Sequence, residues 1–239
     1  MQTILVAAPV ALWLMAAIYL TLFLLFLKLA QGEPRHPIPL LMAGVAFGLC
    51  YDAVVLGLGA FLGDTKLLRL LSYPRYILHG AMVPLLIPIC AHALDANKKV
   101  LKAVGIATAV LALLGVYTGC RTRLKALDFA GITRFIADTD LTPKWVGHLM
   151  PVLSVLPTIV LILCGIVLWK KKGRKELTLS GLLMLFFSGI GPATGHLAET
   201  FLFSMFGELG LMLWFWKFFL PMLWAFLWAF CWLPVKRTA

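Results

Sequence analysis

Residues 4–27 read ILVAAPVALWLMAAIYLTLFLLFL, a run without a single charged side chain. A helix crosses the hydrocarbon core of a bilayer with about 20 apolar residues, so this stretch predicts a membrane span. The whole chain agrees, because 62% of its residues are hydrophobic, 13% are charged, and its mean hydropathy is +0.97. Soluble domains contain roughly 45–50% apolar and about 25% charged residues. The composition therefore excludes a soluble enzyme, a disordered chain and a secreted disulfide scaffold.

Six further apolar stretches follow, and together they predict an all-α, seven-helix transmembrane bundle. The bundle is expected to form a single domain over residues 1–239. The uncharged start Met1-Gln2-Thr3 favours a retained first span, because a cleaved signal peptide begins with a positive region. The predicted spans cover residues of about 4–27, 39–62, 76–94, 100–119, 146–169, 177–203 and 209–233.

The lysines and arginines predict how this bundle is oriented. Of the 21 basic residues, twelve fall in loops on the side of the C-terminus and eight on the side of the N-terminus. Since the richer side is normally cytoplasmic, we expect a multi-pass inner-membrane protein with its N-terminus outside. The run 170–175, KKKGRK, is its strongest anchor. The net charge of +11 is then a topology signal. We expect membrane lipids as partners and no nucleic acid, with a second copy or a membrane-complex subunit as further candidate partners.

The loop over residues 120–145 is too long to be a simple connector. It mixes basic and acidic residues with Phe129, Ile132, Phe135 and Ile136. This pattern fits a short amphipathic helix or a β-hairpin on the outer surface. Because long ordered loops are often functional, the loop is a candidate lid.

Several ionisable residues fall inside the predicted spans, where each costs on the order of 2.5–3.5 kcal/mol at the bilayer centre by insertion scales. Counted from the predicted span ends, they fall in the outer half of the membrane, apart from His92 close to the cytoplasmic end of the third span. Arg75 and His79 are four residues apart and His196 and Glu199 three apart, so each pair shares a helix face. We therefore expect one buried polar site in this layer. Its candidate residues are Asp52, Arg75, His79, His196, Glu199 and Lys217.

A metal site is the first function that this set could serve. His79 and His196, with Glu199 and Asp52, are suitable ligands for a zinc-like divalent ion that would activate water. One of the two carboxylates would bind the metal together with the histidines and the other would act as base, and Arg75 would hold a phosphate or oxyanion. This would make the protein a membrane-embedded, metal-dependent lipid hydrolase. In helix number and residue classes it is similar to the seven-helix intramembrane hydrolases of the ceramidase and adiponectin-receptor type.

A proton or solute pathway is the second function that the set could serve. Asp52 and Glu199 would then titrate, while Arg75 or Lys217 would set their pKa. The same charges could instead form ion pairs that fix helix packing, as expected for a structural subunit of a membrane complex. The sequence leaves these two alternatives open.

A cofactor site is the third possibility. The third span contains Arg75-Tyr76 followed by Pro84-Leu85-Leu86, and the seventh contains Lys217. This arrangement resembles the third helix and the buried lysine of microbial rhodopsins, and the resemblance implies a retinal Schiff base on Lys217. The chain departs from that family at Leu78 and Leu213, where the family has carboxylates. A haem is a further alternative, because His79 and His92 lie thirteen residues apart on one helix.

Overall fold

The computed structural model describes residues 2–32, 37–194 and 200–232. Within these ranges the chain forms a helical bundle with one β-hairpin between its fifth and sixth helices. A 3₁₀ turn over Val83–Leu85 joins α3 to α4, so these two helices form one continuous rod. The elements are α1 Gln2–Gly32, α2 Ile38–Leu62, α3 Lys66–Met82, α4 Leu86–Ala93, α5 Lys98–Arg121, β1 Leu124–Phe129, β2 Ile132–Ala137, α6 Lys144–Lys172, α7 Glu176–Thr194 and α8 Thr200–Trp232.

Among the described residues, six helical segments are long and apolar enough to cross a membrane. The prediction of a helical, membrane-spanning protein is confirmed to that extent. The third of these segments is the α3–α4 rod, Lys66–Ala93. Helix α7 contributes a shorter apolar stretch, Glu176–Ile190. The six are Ala7–Gln31, Ile38–Leu62, Lys66–Ala93, Lys98–Arg121, Lys144–Lys172 and Phe201–Phe218.

Helix α3 begins ten residues before the predicted start of the third span. Thr65 caps it, since its side-chain oxygen accepts a hydrogen bond from the backbone N–H of Leu68 at 3.3 Å. The hydropathy pattern did not predict this first part of the helix, because its basic residues lower the mean hydropathy of the segment. Arg75 and His79, expected near the end of a span, therefore lie about 13 and 20 Å along the helix from Lys66.

Helix α8 begins at Thr200, whereas the predicted seventh span begins at residue 209. Glu208, expected in an outer loop, is therefore buried inside a helix. Its neighbours Gly207 and Gly210 are contact points between helices and do not form a turn. A Cβ atom at Gly207 would lie 3.1 Å from the Cα of Met184 on α7, so the glycine allows α7 and α8 to pack closely.

The segment over 120–145 contains a β-hairpin, one of the two structures expected for it. Its strands pair antiparallel from Leu124 opposite Ala137 to Phe129 opposite Ile132. The turn residues Ala130 and Gly131 both have positive φ, 52° and 74°, as a type I′ turn requires.

The hairpin packs on the helices beneath it. A Cβ atom at Gly59 of α2 would lie 2.0 Å from the carbonyl oxygen of Thr133, so β2 rests directly on that helix. Phe135 is fully buried and packs with Val55 and Leu68 of α2 and α3. We call the end of the bundle that the hairpin covers the hairpin end.

The opposite end carries the lysine-rich connections, and we call it the basic end. Lys172 forms an ion pair with Asp95, which joins the α6–α7 connection to the α4–α5 connection. Arg174 donates a hydrogen bond to the carbonyl oxygen of Phe218 in α8. Between this end and the middle of the bundle, the core is formed by fully buried apolar side chains. Examples are Phe26, Ile89, Leu161, Met212 and Phe215.

Candidate functional site

A cavity of about 430 Å³ lies beneath the hairpin. Its volume falls within the range of roughly 300–1,000 Å³ that is usual for small-molecule sites. Its walls come from α2, α3, α6, α8, β2 and the segment that follows β2. The charged and polar lining residues are Asp52, Arg75, Tyr76, His79, Arg134, Thr139, Ser154, Ser204 and Glu208, and the others are Ala137, Gly147, Met150, Pro151 and Phe201.

An ion pair forms the floor of the cavity on the α2–α3 side. The Nε of Arg75 donates to Oδ1 of Asp52 at 2.6 Å. The two side chains are 12% and 25% exposed, respectively, so the pair is largely shielded but still touches the cavity. A charge-assisted hydrogen bond of this length is among the stronger kinds in proteins. Of the candidates in the sequence, Asp52, Arg75 and His79 are thus brought to one cavity.

His79 lies one helical turn after Arg75 and is exposed toward the cavity. Its Nε2 is 3.3 Å from the hydroxyl oxygen of Ser154 on α6. That hydroxyl is also 3.1 Å from the carbonyl oxygen of Met150, to which it can donate. Sequence reasoning missed Ser154, because a serine inside an apolar helix usually hydrogen-bonds its own backbone, as this one also does.

Glu208 brings a second carboxylate to the cavity from α8. The residue is only 7% exposed, and among the described residues its Oε2 has no hydrogen-bond partner. A buried polar atom without a partner costs about 1–3 kcal/mol, and more if charged. Such a group is therefore unusual unless it has a role. The sequence signal was available, since Glu208 is an isolated acid within an apolar stretch, but it falls in the gap between the sixth and seventh predicted spans.

Arg134 of β2 forms part of the roof and was not among the expected site residues. Its guanidinium carbon lies 4.6 Å from the ring centre of Phe201 on α8, a cation–π contact. Burial, and then the positive charge of Arg75, lower the pKa of the Arg134 guanidinium to about 10. Arg134 therefore remains positively charged at neutral pH.

A second cavity of about 190 Å³ continues from the first toward the middle of the bundle. The two cavities share four lining residues. Beyond them, the second cavity passes between α6 and α7, where Thr158 and Ser188 provide hydroxyl groups. The polar space thus extends from the hairpin end past both His79 and Glu208. The shared residues are His79, Ser154, Ser204 and Glu208.

Lys217 lies apart from this site, and its expected position in the same layer is corrected. It is exposed, with its Nζ 4.7 Å from the ring centre of Trp214. The next residue, Phe218, contacts Arg174 at the basic end. The early start of α8 explains the shift, because Lys217 falls seventeen residues, about 25 Å, along this helix. The lysine expected to carry retinal therefore does not line the cavity.

The other two expected residues, His196 and Glu199, lie outside the described residues. Among the residues that the structure does describe, no group of three His, Cys, Asp or Glu side chains is placed to hold a metal ion. Asp52 and His79 of the expected ligand set do line one cavity. His92, the other histidine of the haem alternative, is in the last turn of α4 toward the basic end, about 20 Å along the rod from His79.

No protein-family model matches this sequence, and no curated protein matches it significantly. The cavity and its side chains are therefore the basis for proposing a function.

Proposed function

We propose that this protein forms a proton pathway in a membrane, open to a small polar solute from the hairpin end. The observation that carries the proposal is the convergence of ionisable side chains from three spans on one cavity. Asp52, Arg75, His79 and Glu208 all line it. Ionisable groups at membrane depth normally mark ion or proton routes, because burying them is costly.

Glu208 is the proton-binding group in this proposal. Its carboxyl is buried, lacks a hydrogen-bond partner at Oε2 among the described residues, and lines both cavities. The carboxylate of Asp52 already accepts a hydrogen bond from Nε of Arg75 at 2.6 Å. His79 lies on the same two cavities and can relay a proton between water and Glu208, with the Ser154 hydroxyl 3.3 Å from its ring.

The charge distribution supports an orientation for this pathway. We place the basic end in the cytoplasm, the N-terminus outside, and α7 as a seventh span in an inner membrane. The lysine-rich α6–α7 connection meets the α4–α5 connection through the Lys172–Asp95 pair, so their positive charges share one end. Loops with more Lys and Arg normally stay cytoplasmic. The cavity would then open to the outer side.

Proton movement in liposomes tests the proposal directly. The purified protein is reconstituted with a pH-sensitive dye inside, and a potassium gradient with valinomycin drives protons inward. We expect the interior to acidify faster than in protein-free liposomes, and Glu208→Gln to slow this rate at least tenfold. Asp140→Asn is the matched control, because Asp140 is an exposed acid near the start of α6.

Two results would contradict the proposal. One is a wild-type rate no higher than that of protein-free liposomes. The other is a Glu208→Gln rate equal to wild type in protein that elutes as a single species. An equal loss in Asp140→Asn would show that the assay responds to charge in general and would also count against a specific role for Glu208.

An intramembrane hydrolase is the second candidate, and one contact favours it. A histidine next to a serine hydroxyl can accept its proton and generate a nucleophile, and His79 Nε2 lies 3.3 Å from Ser154 Oγ. Arg75 and Arg134 would stabilise the developing oxyanion. In the metal-assisted alternative, His79 and Asp52 would be ligands together with residues outside the described ranges.

Covalent labelling and elemental analysis test this second candidate. A fluorophosphonate probe should label Ser154 in the wild type, and Ser154→Ala or His79→Ala should remove the label. A bound divalent ion that is lost in His79→Ala would favour the metal-assisted form. Absence of both label and metal in folded protein would eliminate the hydrolase.

A further inference from the structure

The second cavity, of about 190 Å³, is lined by side-chain oxygens from three helices. On α8, Ser204 and Glu208 lie four residues apart and so share a helix face. On α6, Ser154 and Thr158 have the same spacing. Helix α7 adds the hydroxyl of Ser188. One carboxyl group and four hydroxyl groups therefore line the same space.

Each of the four hydroxyl groups already donates its hydrogen to an atom of its own helix. Three donate to backbone carbonyl oxygens at 3.1–3.3 Å, and Ser188 donates to a methionine sulfur at 3.8 Å. The pairs are Ser154 to Met150, Thr158 to Ser154, Ser204 to Phe201 and Ser188 to Met184. A hydroxyl has one hydrogen but two lone pairs. These oxygens therefore remain available to the cavity as acceptors.

Glu208 adds a carboxyl group with an unpartnered atom. The residue is only 7% exposed, and its Oε2 has no hydrogen-bond partner among the described residues. Arg75 and Arg134 line the first cavity but are not among the described residues that line the second. Arg75 is moreover paired with Asp52. Apart from His79, the described polar groups of the second cavity are thus acceptors.

Acceptors with one negative charge select a ligand with one positive charge. Oxygen atoms of this kind are the ligands that hard metal cations prefer. The three N–H groups of a primary ammonium can donate to the same oxygens. A single water needs about 10–15 Å³ of such space. The cavity therefore has room for an alkali-metal ion with part of its hydration shell, or for a small primary ammonium.

We propose that the second cavity binds a small monovalent cation between α6, α7 and α8, with the Glu208 carboxylate as its charged ligand. The inference rests on the proposed function, because the cation and the proton compete for the same carboxylate. A cation that binds there releases the proton of Glu208, and a proton that binds releases the cation. The protein would then exchange protons for the cation across the membrane.

Other ionisable groups near Glu208 influence this competition. Asp52 and Arg75 face it from α2 and α3 as a pair, so their charges largely cancel. His79 lines the same cavity and would repel a cation when protonated. Cation binding is therefore expected to strengthen as pH rises and both His79 and Glu208 lose their protons. The ionisable side chains that lie near Glu208 among the described residues are Tyr19, Asp52, Arg75, His79 and Arg134.

Equilibrium dialysis of the purified protein in phosphatidylcholine nanodiscs tests the inference. The probes are radioactive sodium and radiolabelled methylammonium, and choline chloride keeps the ionic strength constant, since choline has no N–H donor. We expect saturable binding of at least one probe and a loss of affinity of at least tenfold in Glu208→Gln. Asp140→Asn, which changes an exposed acid, should bind as wild type does.

Two threonines provide a matched comparison for the hydroxyl ligands. Thr158 and Thr21 both donate to the carbonyl oxygen four residues earlier, at 3.3 and 2.8 Å. Thr158 lines the cavity, whereas Thr21 is exposed on α1. Thr158→Val should weaken binding about threefold to tenfold, and Thr21→Val should leave it unchanged. Since valine has the shape of threonine, Thr158→Val keeps the test decisive if Glu208→Gln does not fold.

The two probes also identify the cation. Binding of sodium alone would assign the site to an alkali-metal ion, and binding of methylammonium alone would assign it to an ammonium. Binding of both, each displacing the other, would assign it to small monovalent cations in general.

Absence of saturable binding of both probes to the folded wild type would overturn the inference. Equal affinity in the wild type and in folded Glu208→Gln or Thr158→Val would do the same. The two proposals fail separately. Proton movement in liposomes that depends on Glu208 without cation binding would overturn only the cation site. Cation binding that depends on Glu208 without proton movement would overturn only the proton pathway.

Discussion

The hairpin end and the basic end of this bundle are formed by the same helices, but the space between those helices is occupied differently at each end. Beneath the hairpin, charged side chains surround cavities of about 430 and 190 Å³. Toward the basic end, apolar side chains such as Leu161, Met212 and Phe215 are fully buried. The ion pair of Lys172 and Asp95 at that end is exposed, at 46% and 76% of the side-chain surfaces.

The difference shows that the buried charges are not needed to hold helices together. Toward the basic end the core between the helices is apolar, and the ion pairs described there, Lys172–Asp95 and Arg174–Glu176, lie at or next to the connections between helices. Apolar replacements of buried ion pairs often leave stability equal or higher. Charges kept in the hairpin half at a cost of several kcal/mol therefore support the proposed role in proton transfer. Substitutions in the hairpin half, compared with matched substitutions elsewhere in the bundle, test this difference.

The largest expected effect is a difference in water access along α8. In a cysteine-free background, Ser204→Cys should react with a membrane-impermeant thiol reagent added at the hairpin end. Met212→Cys, two turns further along the same helix, should react at least tenfold more slowly, because Met212 is fully buried. Mass spectrometry of timed samples gives both rates. Equal rates would remove the distinction between the two halves.

The ion pairs Asp52–Arg75 and Lys172–Asp95 should differ strongly in their contribution to the free energy of unfolding. Asp52→Asn leaves Arg75 without its partner, and breaking a buried pair in this way costs about 3–5 kcal/mol. Water in the cavity reduces that cost, so we expect about 2–3 kcal/mol in the free energy of unfolding. Asp95→Asn should cost less than about 1 kcal/mol, because its pair is exposed. Asn also tolerates the positive φ of 52° at this position.

Unfolding by increasing denaturing detergent measures both variants. Addition of Arg75→Gln to Asp52→Asn should recover part of the lost stability, since no unpaired charge remains. A cost for Asp95→Asn equal to that for Asp52→Asn would show that the two ends are energetically alike.

Helix spacing around the cavity should be sensitive to a single methyl group. A Cβ atom at Gly115 of α5 would lie 2.2 Å from the carbonyl oxygen of Gly80 on α3, whereas one at Gly105 would meet nothing within 4 Å. Gly115→Ala should therefore destabilise the protein by about 1–3 kcal/mol. Gly105→Ala on the same helix should be neutral or slightly stabilising. Melting temperatures in detergent compare them, and similar values would contradict the close approach of α3 and α5.

The smallest expected effect concerns the attachment of the hairpin to α3. The hydroxyl of Tyr76 donates to the carbonyl oxygen of Phe135 at 3.3 Å. Tyr76→Phe should cost about 0.5–1.5 kcal/mol, the usual net worth of such a bond. Tyr117→Phe is the matched control, because its ring stacks on Trp145 and its hydroxyl makes no hydrogen bond within the part of the chain that the structure describes. Hydrogen exchange at Phe135 and its neighbours should rise in the first variant alone.

The sequence predicted much of this arrangement because the patterns involved are local. Long apolar runs identify helices that can span a membrane, and the spacing of Arg75 and His79 placed both on one helix face. The pairing of Asp52 with Arg75, one of the alternatives considered, is present at 2.6 Å. The alternation of apolar residues in 120–145 included the hairpin among its possible structures.

The residues that were misplaced depend on contacts that are distant along the chain. Glu208 was assigned to a loop because it falls between the sixth and seventh predicted spans, but α8 includes it, and Gly207 and Gly210 beside it pack against α7. Arg134 joins the site only because the hairpin folds back over α2 and α8. Lys217 was assigned to the polar layer by its distance from a helix end that lies nine residues earlier than predicted. An error of several residues in a predicted helix end therefore becomes a large error in the predicted membrane depth of a side chain.

The Asp52–Arg75 pair also bears on how the chain enters a membrane during synthesis. Its two residues belong to consecutive helices, α2 and α3, which are joined by only Gly63, Asp64 and Thr65. Each charge alone would oppose insertion by on the order of 2.5–3.5 kcal/mol. As a helical hairpin, α2 and α3 can present the two charges to the lipid already neutralised. Glu208, on the last helix, is made only after most of the cavity walls that receive it have been inserted.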